Sequence, residues 1–187
     1  MSRTVVREAV KTLKQEGLLE IKAGLGTFVV DGTSAALSQS FGLLMSLSPS
    51  NNLADIVEIR EIIEVEIAAL AARRATEDNI EKMEAAFAAM DKNLGNIPEF
   101  IKQDHAFHLA LAEATQNAVI PRLLTSIVDL LQGLRSRTAL VVGSLERGQV
   151  HHRRILDAIR EHDPSAAHEA MRAHLQQVRE DSAGTRG

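Results

Sequence analysis

The stretch SRTVVREAVKTLKQEGLLEIKAGLGTFV, residues 2–29, sets the fold of the first part of the chain. Its first half predicts a helix from Ser2 to Gly17, because Ser2 suits an N-cap and Gly17 suits the left-handed position that follows a last turn. Two β-prone runs, 18–22 and 27–30, flank a glycine-containing link and predict a hairpin. A short helix followed by a two-stranded hairpin is typical of the second half of a winged helix-turn-helix.

The predicted first helix carries its basic side chains on one stripe, which consists of Arg3, Arg7, Lys11 and Lys14. Residues 1–30 hold five basic and three acidic side chains, whereas the whole chain has a net charge of −4. Arg3 and Arg7 lie one turn apart, so both can face one DNA groove, where arginine pairs with guanine edges or phosphates. From spacing alone, a solvated basic face on an ordinary surface helix explains the pattern equally well.

The remainder of the chain predicts an all-α domain. Residues 31–52 are rich in Ser, Gly and Asn, and we interpret them as a linker with room for one helix. From Leu53 onward apolar residues recur at helical spacing, and the predicted helices start near residues 53, 76, 96, 117, 144 and 163. Thr76, Ser144 and Asp163 are predicted caps, and the helix that opens at Asn117 is predicted to continue to about Thr138. Short loops between these helices predict an antiparallel bundle of about six or seven members.

The composition excludes several classes of protein. The chain has no cysteine, which excludes disulfides, thiolate metal sites and a cysteine nucleophile and indicates a reducing cytoplasm. Its longest apolar runs fall far short of the roughly 20 residues that span a bilayer, so we expect no membrane partner. The N-terminus lacks the apolar stretch of a signal peptide. Five Phe with no Trp or Tyr, among many Ala, Leu, Ile and Val, favour packed helices over a β-sandwich.

Helical spacing points four polar side chains into the predicted bundle. Asp104 and His108 lie one turn apart on the inward stripe of one helix, and His152 and His174 lie on the inward stripes of two others. Each such group costs a few kcal/mol when it is buried without a partner. A divalent metal ion held by one carboxylate and three imidazoles would satisfy all four together. For any one of them alone, a hydrogen-bonded core histidine is the simpler interpretation.

The same four side chains also fit a metal-dependent enzyme, because a carboxylate with histidines occurs in non-haem iron oxygenases and in metal hydrolases. An enzyme needs an open coordination position and a general base. Beyond Asp104, no carboxylate stands out on the inward stripes, although Glu64 could face the cavity. We therefore expect a metal that is structural and anchors a ligand, in a protein that is not an enzyme.

Residues 2–29 resemble the recognition helix and wing of the GntR family of transcription regulators. The family pattern is Ser-Arg-x-x-Val-Arg-Glu-Ala-x-x-x-Leu, then x-x-x-Gly-Leu, then an x-x-Gly-x-Gly-Thr-x-Val wing. The chain matches it at Ser2, Arg3, Val6, Arg7, Glu8, Ala9, Leu13, Gly17, Leu18, Gly24, Gly26, Thr27 and Val29. The resemblance implies that five residues contact DNA. Ser2, Arg3, Thr4 and Arg7 would do so from the helix, and Gly24 from the tip of the wing.

Residues 53–180 resemble the FCD effector domain, the helical ligand-binding domain of the FadR subfamily. Its hallmarks are present as Arg60 with Glu64, the D-x-x-F-H-x-x-L run 104–111, the A-T-x-N run 114–117, the H-x-x-I-x-x-A-I run 152–159, and Ala170-Met171 with His174. The resemblance implies a metal site, commonly zinc or nickel, with an organic effector beside it. Its ligands would be Asp104, His108, His152 and His174.

Three residues are candidates for contact with the effector. Arg60 is the natural partner of an effector carboxylate, because a guanidinium group binds carboxylates bidentately. An i,i+4 ion pair with Glu64 is an equally good role for it. Arg135 and Asn117 are weaker candidates for the same pocket.

The chain departs from the family pattern before the recognition helix. Family members carry two further helices there. We therefore expect this chain to lack the first part of its winged helix, through truncation or a misassigned start. The expected organisation is a partial DNA-binding domain (1–30), a linker (31–52) and a helical FCD-type domain (53–187). The expected function is a cytoplasmic, homodimeric regulator whose operator affinity is controlled by a small organic acid bound near the metal. Operator DNA is a partner of the full-length protein.

Overall fold

The computed structural model of the chain describes residues 2–29, 33–47 and 53–184. They belong to two compact units, Met1–Asn51 and Asn52–Gly187. In the described part of the chain, no helix is both long enough and apolar enough to cross a membrane.

The first unit contains the predicted helix and hairpin. Helix α1 (Arg3–Gln15) is followed by two short antiparallel strands, β1 (Leu19–Lys22) and β2 (Gly26–Val29), and then by α2 (Thr33–Leu47). The Ser2 hydroxyl accepts a hydrogen bond from the Thr4 backbone N–H at 3.2 Å, which caps α1. Gly17 has φ +73°, the left-handed conformation predicted for it, so the chain turns there into the hairpin. Helix α2 lies within the predicted linker.

The second unit is a helical bundle, as predicted. Within its described residues 53–184 the chain forms seven helices, which are α3 (Leu53–Arg74), α4 (Glu77–Lys92), α5 (Ile97–Ala114), α6 (Val119–Leu130), α7 (Gln132–Thr138), α8 (Ser144–Arg160) and α9 (Pro164–Gly184). The closest packing is between α4 and α5, α8 and α9, and α3 and α9. These pairings bring the inward stripes of α3, α5, α8 and α9 together.

Side-chain caps begin several of these helices at the predicted residues. The Thr76 hydroxyl accepts from the Asn79 N–H, and the Asn79 side chain accepts from the Thr76 N–H in return, which makes a capping box before α4. The Asp163 carboxylate accepts from the N–H groups of Ser165 and Ala166, both at 2.9 Å, and Pro164 occupies the first position of α9. Local sequence therefore determines where these helices start.

The predicted helix from Asn117 to Thr138 is interrupted. Leu131 has φ −94° and ψ 2°, so its backbone leaves the helical region and separates α6 from α7. Its N–H bonds to the Val128 carbonyl at 2.9 Å, three residues back, which tightens the end of α6. The Leu131 side chain is buried, so packing against the bundle holds the break in place.

The prediction that Ser144 caps α8 is wrong. Ser144 is the first residue of the helix and is buried, and Gly143 occupies the cap position with φ +74°. Glycine takes this left-handed conformation at little cost, so the chain can turn sharply into α8 without a side-chain cap.

The core of the second unit lies between α3, α4, α5, α8 and α9. Its largest fully buried side chains come from all of these helices except α3, and include Met83, Met90, Phe107, Leu111, Ile155, Leu156, Ile159, Met171 and Leu175. Helix α3 contributes small residues, Ala68, Ala71 and Ala72, which are fully buried. Small side chains on this central helix let its neighbours approach closely.

Core burial predicts an unequal response to two truncations. Leu111→Ala should lower the free energy of unfolding by about 2–5 kcal/mol, because the side chain is 1% exposed and its removal leaves a cavity. Val119→Ala, at a side chain that is 64% exposed, should change it by less than about 0.5 kcal/mol. Urea denaturation followed by circular dichroism measures both. Equal effects of the two substitutions would contradict this assignment of the core.

Candidate metal and ligand site

Three helices bring the four predicted ligand residues together. Asp104 and His108 come from α5, His152 from α8 and His174 from α9, and one ligand atom from each lies within 4.8 Å of all the others. The three imidazoles are 1–3% exposed, and the Asp104 side chain is 13% exposed. The sequence spacing predicts that each residue lies on the inward stripe of its helix, and the packing of the helices brings the four side chains into one cluster.

Besides His108 Nδ1, which faces the Glu64 carboxylate, two imidazole nitrogens in this cluster are buried without a hydrogen bond to any described residue. They are His152 Nε2 and His174 Nδ1. His152 Nε2 lies 3.1 Å and His108 Nε2 3.8 Å from the same oxygen, Asp104 Oδ1. Buried nitrogens without hydrogen-bond partners, gathered around a carboxylate, are the donor atoms that a divalent cation binds. The residues present therefore fit a metal ion.

Burial favours the neutral form of two of these histidines. The pKa of His152 and the pKa of His174 both lie well below the usual value, chiefly because burial removes the hydration of the charged form and secondly because other positive groups are close. Neutral imidazole offers a lone pair, which is the form that binds metals.

Glu64 belongs to the cluster, although sequence analysis left its orientation open. It is fully buried on α3, and its Oε2 lies 2.6 Å from His108 Nδ1. Burial alone would raise the pKa of Glu64, but the charges of Arg60 and His108 outweigh it and hold the pKa far below its usual range. The i,i+4 spacing of Arg60 and Glu64 was the signal in the sequence, and the two form a buried ion pair.

Both predicted arginines reach the site. Arg60 is 3% exposed, and its Nη2 lies 3.5 Å from His108 Nε2. Arg135, on α7, forms an ion pair with Asp104 in which both side chains are nearly buried. Each guanidinium group is therefore already paired with a carboxylate at the metal cluster.

A cavity of about 620 Å³, including the open solvent at its mouth, adjoins the cluster. Polar side chains line one part of it, and these are Arg60, Asp104, Arg135, Thr138, Ser144, His152, His174 and Gln177. Apolar side chains line the rest, among them Val57, Phe100, Ile101, Leu131, Leu145 and Val178. An apolar wall with a few convergent polar groups is typical of small-molecule sites.

The third effector candidate lies elsewhere. Asn117 is exposed, and its Oδ1 accepts a hydrogen bond from the Val119 N–H at 3.0 Å, so the side chain caps α6. It is not among the residues that line the cavity. Assigning Asn117 to the pocket was wrong, because its local backbone role explains the residue.

The residues predicted to contact DNA all lie in the first unit. Ser2 caps α1, and Arg3, Thr4 and Arg7 occupy its first two turns, where all four are exposed. Gly24 lies at the tip of the hairpin with φ +76°, and beyond its two chain neighbours no described residue has an atom within 4 Å of the position that a Cβ would occupy. The exposed basic side chains and the open wing tip are thus available to a large partner.

Comparison with known proteins adds a family assignment. Residues 55–177 match the FCD domain. The chain is 32% identical to the HTH-type transcriptional regulator LutR of Bacillus subtilis, covering 98% of this chain and 86% of LutR. It is 35% identical to the putative L-lactate dehydrogenase operon regulatory protein of Escherichia coli, covering 94% and 70%. A solved structure of a GntR protein from Streptococcus agalactiae aligns with a TM-score of 0.76 at 29% identity, covering 96% of this chain and 82% of that one.

These matches define the class as that of transcriptional regulators that carry a helical FCD domain. The chain belongs to the GntR family and carries an FCD domain. The resemblance inferred from the sequence is confirmed. The relatives are named as regulators of transcription, so the expectation that the protein is not an enzyme is confirmed as well.

The buried histidines predict a pH-dependent stability in the metal-free protein. An unfolded chain takes up protons on these histidines near pH 6.5, whereas the lowered pKa of His152 and of His174 keeps them neutral in the folded state. The free energy of unfolding should therefore fall as the pH decreases from 7.5 to 5.5, by up to about 1.4 kcal/mol per pH unit for each histidine.

Denaturation of the chelator-treated protein at a series of pH values measures this slope. The His174→Gln variant should show a shallower slope, because one of the two proton-binding groups is gone. Stability that rises on acidification, or a slope that the variant leaves unchanged, would contradict the neutral, buried state of these side chains.

Proposed function

We propose that this transcriptional regulator binds a divalent metal ion, zinc or nickel, and next to it a small organic acid that controls its affinity for operator DNA. The carrying observation is the buried cluster of Asp104, His108, His152 and His174 beside a cavity that two arginines share. One carboxylate and three imidazoles are ligands that suit zinc and nickel. The metal would polarise and anchor an anionic ligand.

The charges of the site favour an anion only when the metal is present. Arg60 is paired with Glu64 and Arg135 with Asp104, so these four groups compensate one another. A divalent ion held by the imidazole lone pairs adds two positive charges in a nearly dry environment. One or two carboxylates of a ligand would balance them, and a guanidinium group can hold a carboxylate bidentately.

The size and lining of the cavity support a small carboxylate with a short apolar part. Its lining combines charged and apolar side chains, so a ligand with one charged end and a few carbon atoms would satisfy both. One relative is named as the regulator of an L-lactate dehydrogenase operon, so L-lactate is a rational first probe. Its α-hydroxyl and carboxylate could both reach a metal ion.

In the proposal, the first unit is part of the DNA-binding domain of a full-length, cytoplasmic homodimer. Ser2, Arg3, Thr4 and Arg7 would contact one half-site from the helix, and Gly24 would approach the sugar-phosphate chain from the wing. A two-fold dimer would place two such helices on half-sites about 34 Å apart. The effector would then shift the population between two arrangements of the heads. Domain boundaries of 1–30, 31–52 and 53–187 suit this division of roles.

Metal-dependent anion binding is the first test. Zinc-loaded protein should show a higher Tm with L-lactate or succinate, whereas chelator-treated protein should show no shift, because the metal supplies the uncompensated charge. Arg135→Met should reduce the shift in the zinc-loaded protein. Arg172→Met, at an arginine side chain that is 60% exposed on α9, is the matched control and should leave it unchanged. A full shift without metal, or with Arg135→Met, would contradict the proposed ligand site.

DNA recognition is tested in the full-length protein, on an operator selected with it from a random duplex library. Arg7→Ala should weaken binding to that operator by about 1–3 kcal/mol, because it removes one charged contact to a base or phosphate. Lys14→Ala removes one positive charge at the other end of the same helix and should have a much smaller effect. Titration by fluorescence anisotropy at fixed salt measures both. Equal losses would show that only overall charge matters and would contradict the assigned contact.

A further inference from the structure

Gln149 is a buried polar residue that does not line the cavity. It lies on α8 one turn before His152 and is 7% exposed. Its Nε2 donates to the Phe87 carbonyl at 3.3 Å and to the Asp91 carboxylate at 2.7 Å, both on α4. These two partners can only accept hydrogen bonds, so they fix which end of the amide is nitrogen. The amide oxygen must therefore point the other way.

The amide oxygen of Gln149 faces His152. Gln149 Oε1 lies 3.0 Å from His152 Nδ1. An amide oxygen only accepts, so Nδ1 carries the hydrogen, and the lone pair of the neutral ring is on Nε2. That nitrogen lies 3.1 Å from Asp104 Oδ1 without a hydrogen bond. Two lone-pair-bearing atoms face each other there, an arrangement that a cation between them stabilises.

We propose that Gln149 is a positioning residue that holds His152 in the tautomer whose Nε2 can bind the metal, and that Asp91 orients Gln149. The inference rests on the proposed metal site and extends it to α4, which contributes no metal ligand. Asp91 is exposed, so the carboxylate that ends this chain of hydrogen bonds keeps its hydration.

The charges around position 149 explain why a neutral amide suits this position better than a carboxylate. The Nδ1 of His108 lies 2.6 Å from the carboxylate of Glu64, whose charge Arg60 compensates. A carboxylate at position 149 would instead face two acceptors, the Phe87 carbonyl oxygen and the Asp91 carboxylate. The amide orients the ring of His152 without adding a negative charge.

Replacement of Gln149 tests the inference in the 187-residue chain. Gln149→Met keeps the side chain close in size and removes the acceptor for His152. Zinc affinity, measured by competition with a chelating indicator, should fall about 10–100-fold, the range found for residues that orient metal-binding histidines. Nitrogen-15 NMR of the metal-free protein, with the His152 signals assigned from a His152→Gln variant, should show a proton on Nδ1 in the wild type. Gln149→Met should lose that preference.

Two further variants separate positioning from stability. Arg153→Met removes the cation that lies over the Phe87 ring at the same α4–α8 contact and keeps the Gln149–His152 hydrogen bond, so zinc affinity should stay at the wild-type value. Gln149→Glu alone should impair binding, because its carboxylate meets Asp91. Gln149→Glu combined with Asp91→Asn restores a donor at position 91 and an acceptor for His152, and should recover affinity.

The outcomes distinguish this inference from the proposed function. A proton on Nε2 in the metal-free wild type would overturn the role of Gln149. Wild-type zinc affinity in Gln149→Met, together with a defect in His152→Gln, would overturn it too while leaving the metal site intact. If neither the wild type nor His152→Gln bound zinc, the metal site would fail, and the tautomer measurement would still decide whether Gln149 sets the state of His152.

Discussion

The burial of one carboxylate and three imidazoles among apolar helices is the constraint on which the effector domain depends. Each of these groups would cost a few kcal/mol if it were left without a partner in the core. The chain meets this cost with compensating groups outside the cluster, since Glu64 on α3, Gln149 on α8 and Arg135 on α7 all contact its members. The polar cluster therefore joins helices that apolar packing alone would align less specifically.

In the proposed function, the same cluster would connect ligand binding to the contact between α7 and α5. Arg135 lies on α7, a helix of seven residues that begins after the break at Leu131, and it contacts Asp104 on α5. In the proposed function, an anion in the cavity competes with Asp104 for this guanidinium group. Effector binding would then change the contact between α7 and α5, a local change that can shift a population between two states.

The sequence predicts the helical class, most helix starts and the four cluster residues, because these depend on local spacing and on capping chemistry. It does not predict the features that depend on packing between helices. The break at Leu131 is held by tertiary burial, and the direction of Glu64 follows from the position of His108. Asn117 shows the opposite error: a motif resemblance suggested a pocket residue, and the structure places a helix cap there. No motif or spacing in the sequence pointed to Gln149.

The metal content of the purified protein tests the central claim most directly. After equilibration with zinc and removal of free ions, elemental analysis should find one ion per wild-type chain. The double variant His152→Ala His174→Ala should retain none, while His168→Ala, at a partly exposed histidine outside the cluster, should retain one. A wild-type chain without stoichiometric metal, or a double variant that keeps its ion, would contradict the account.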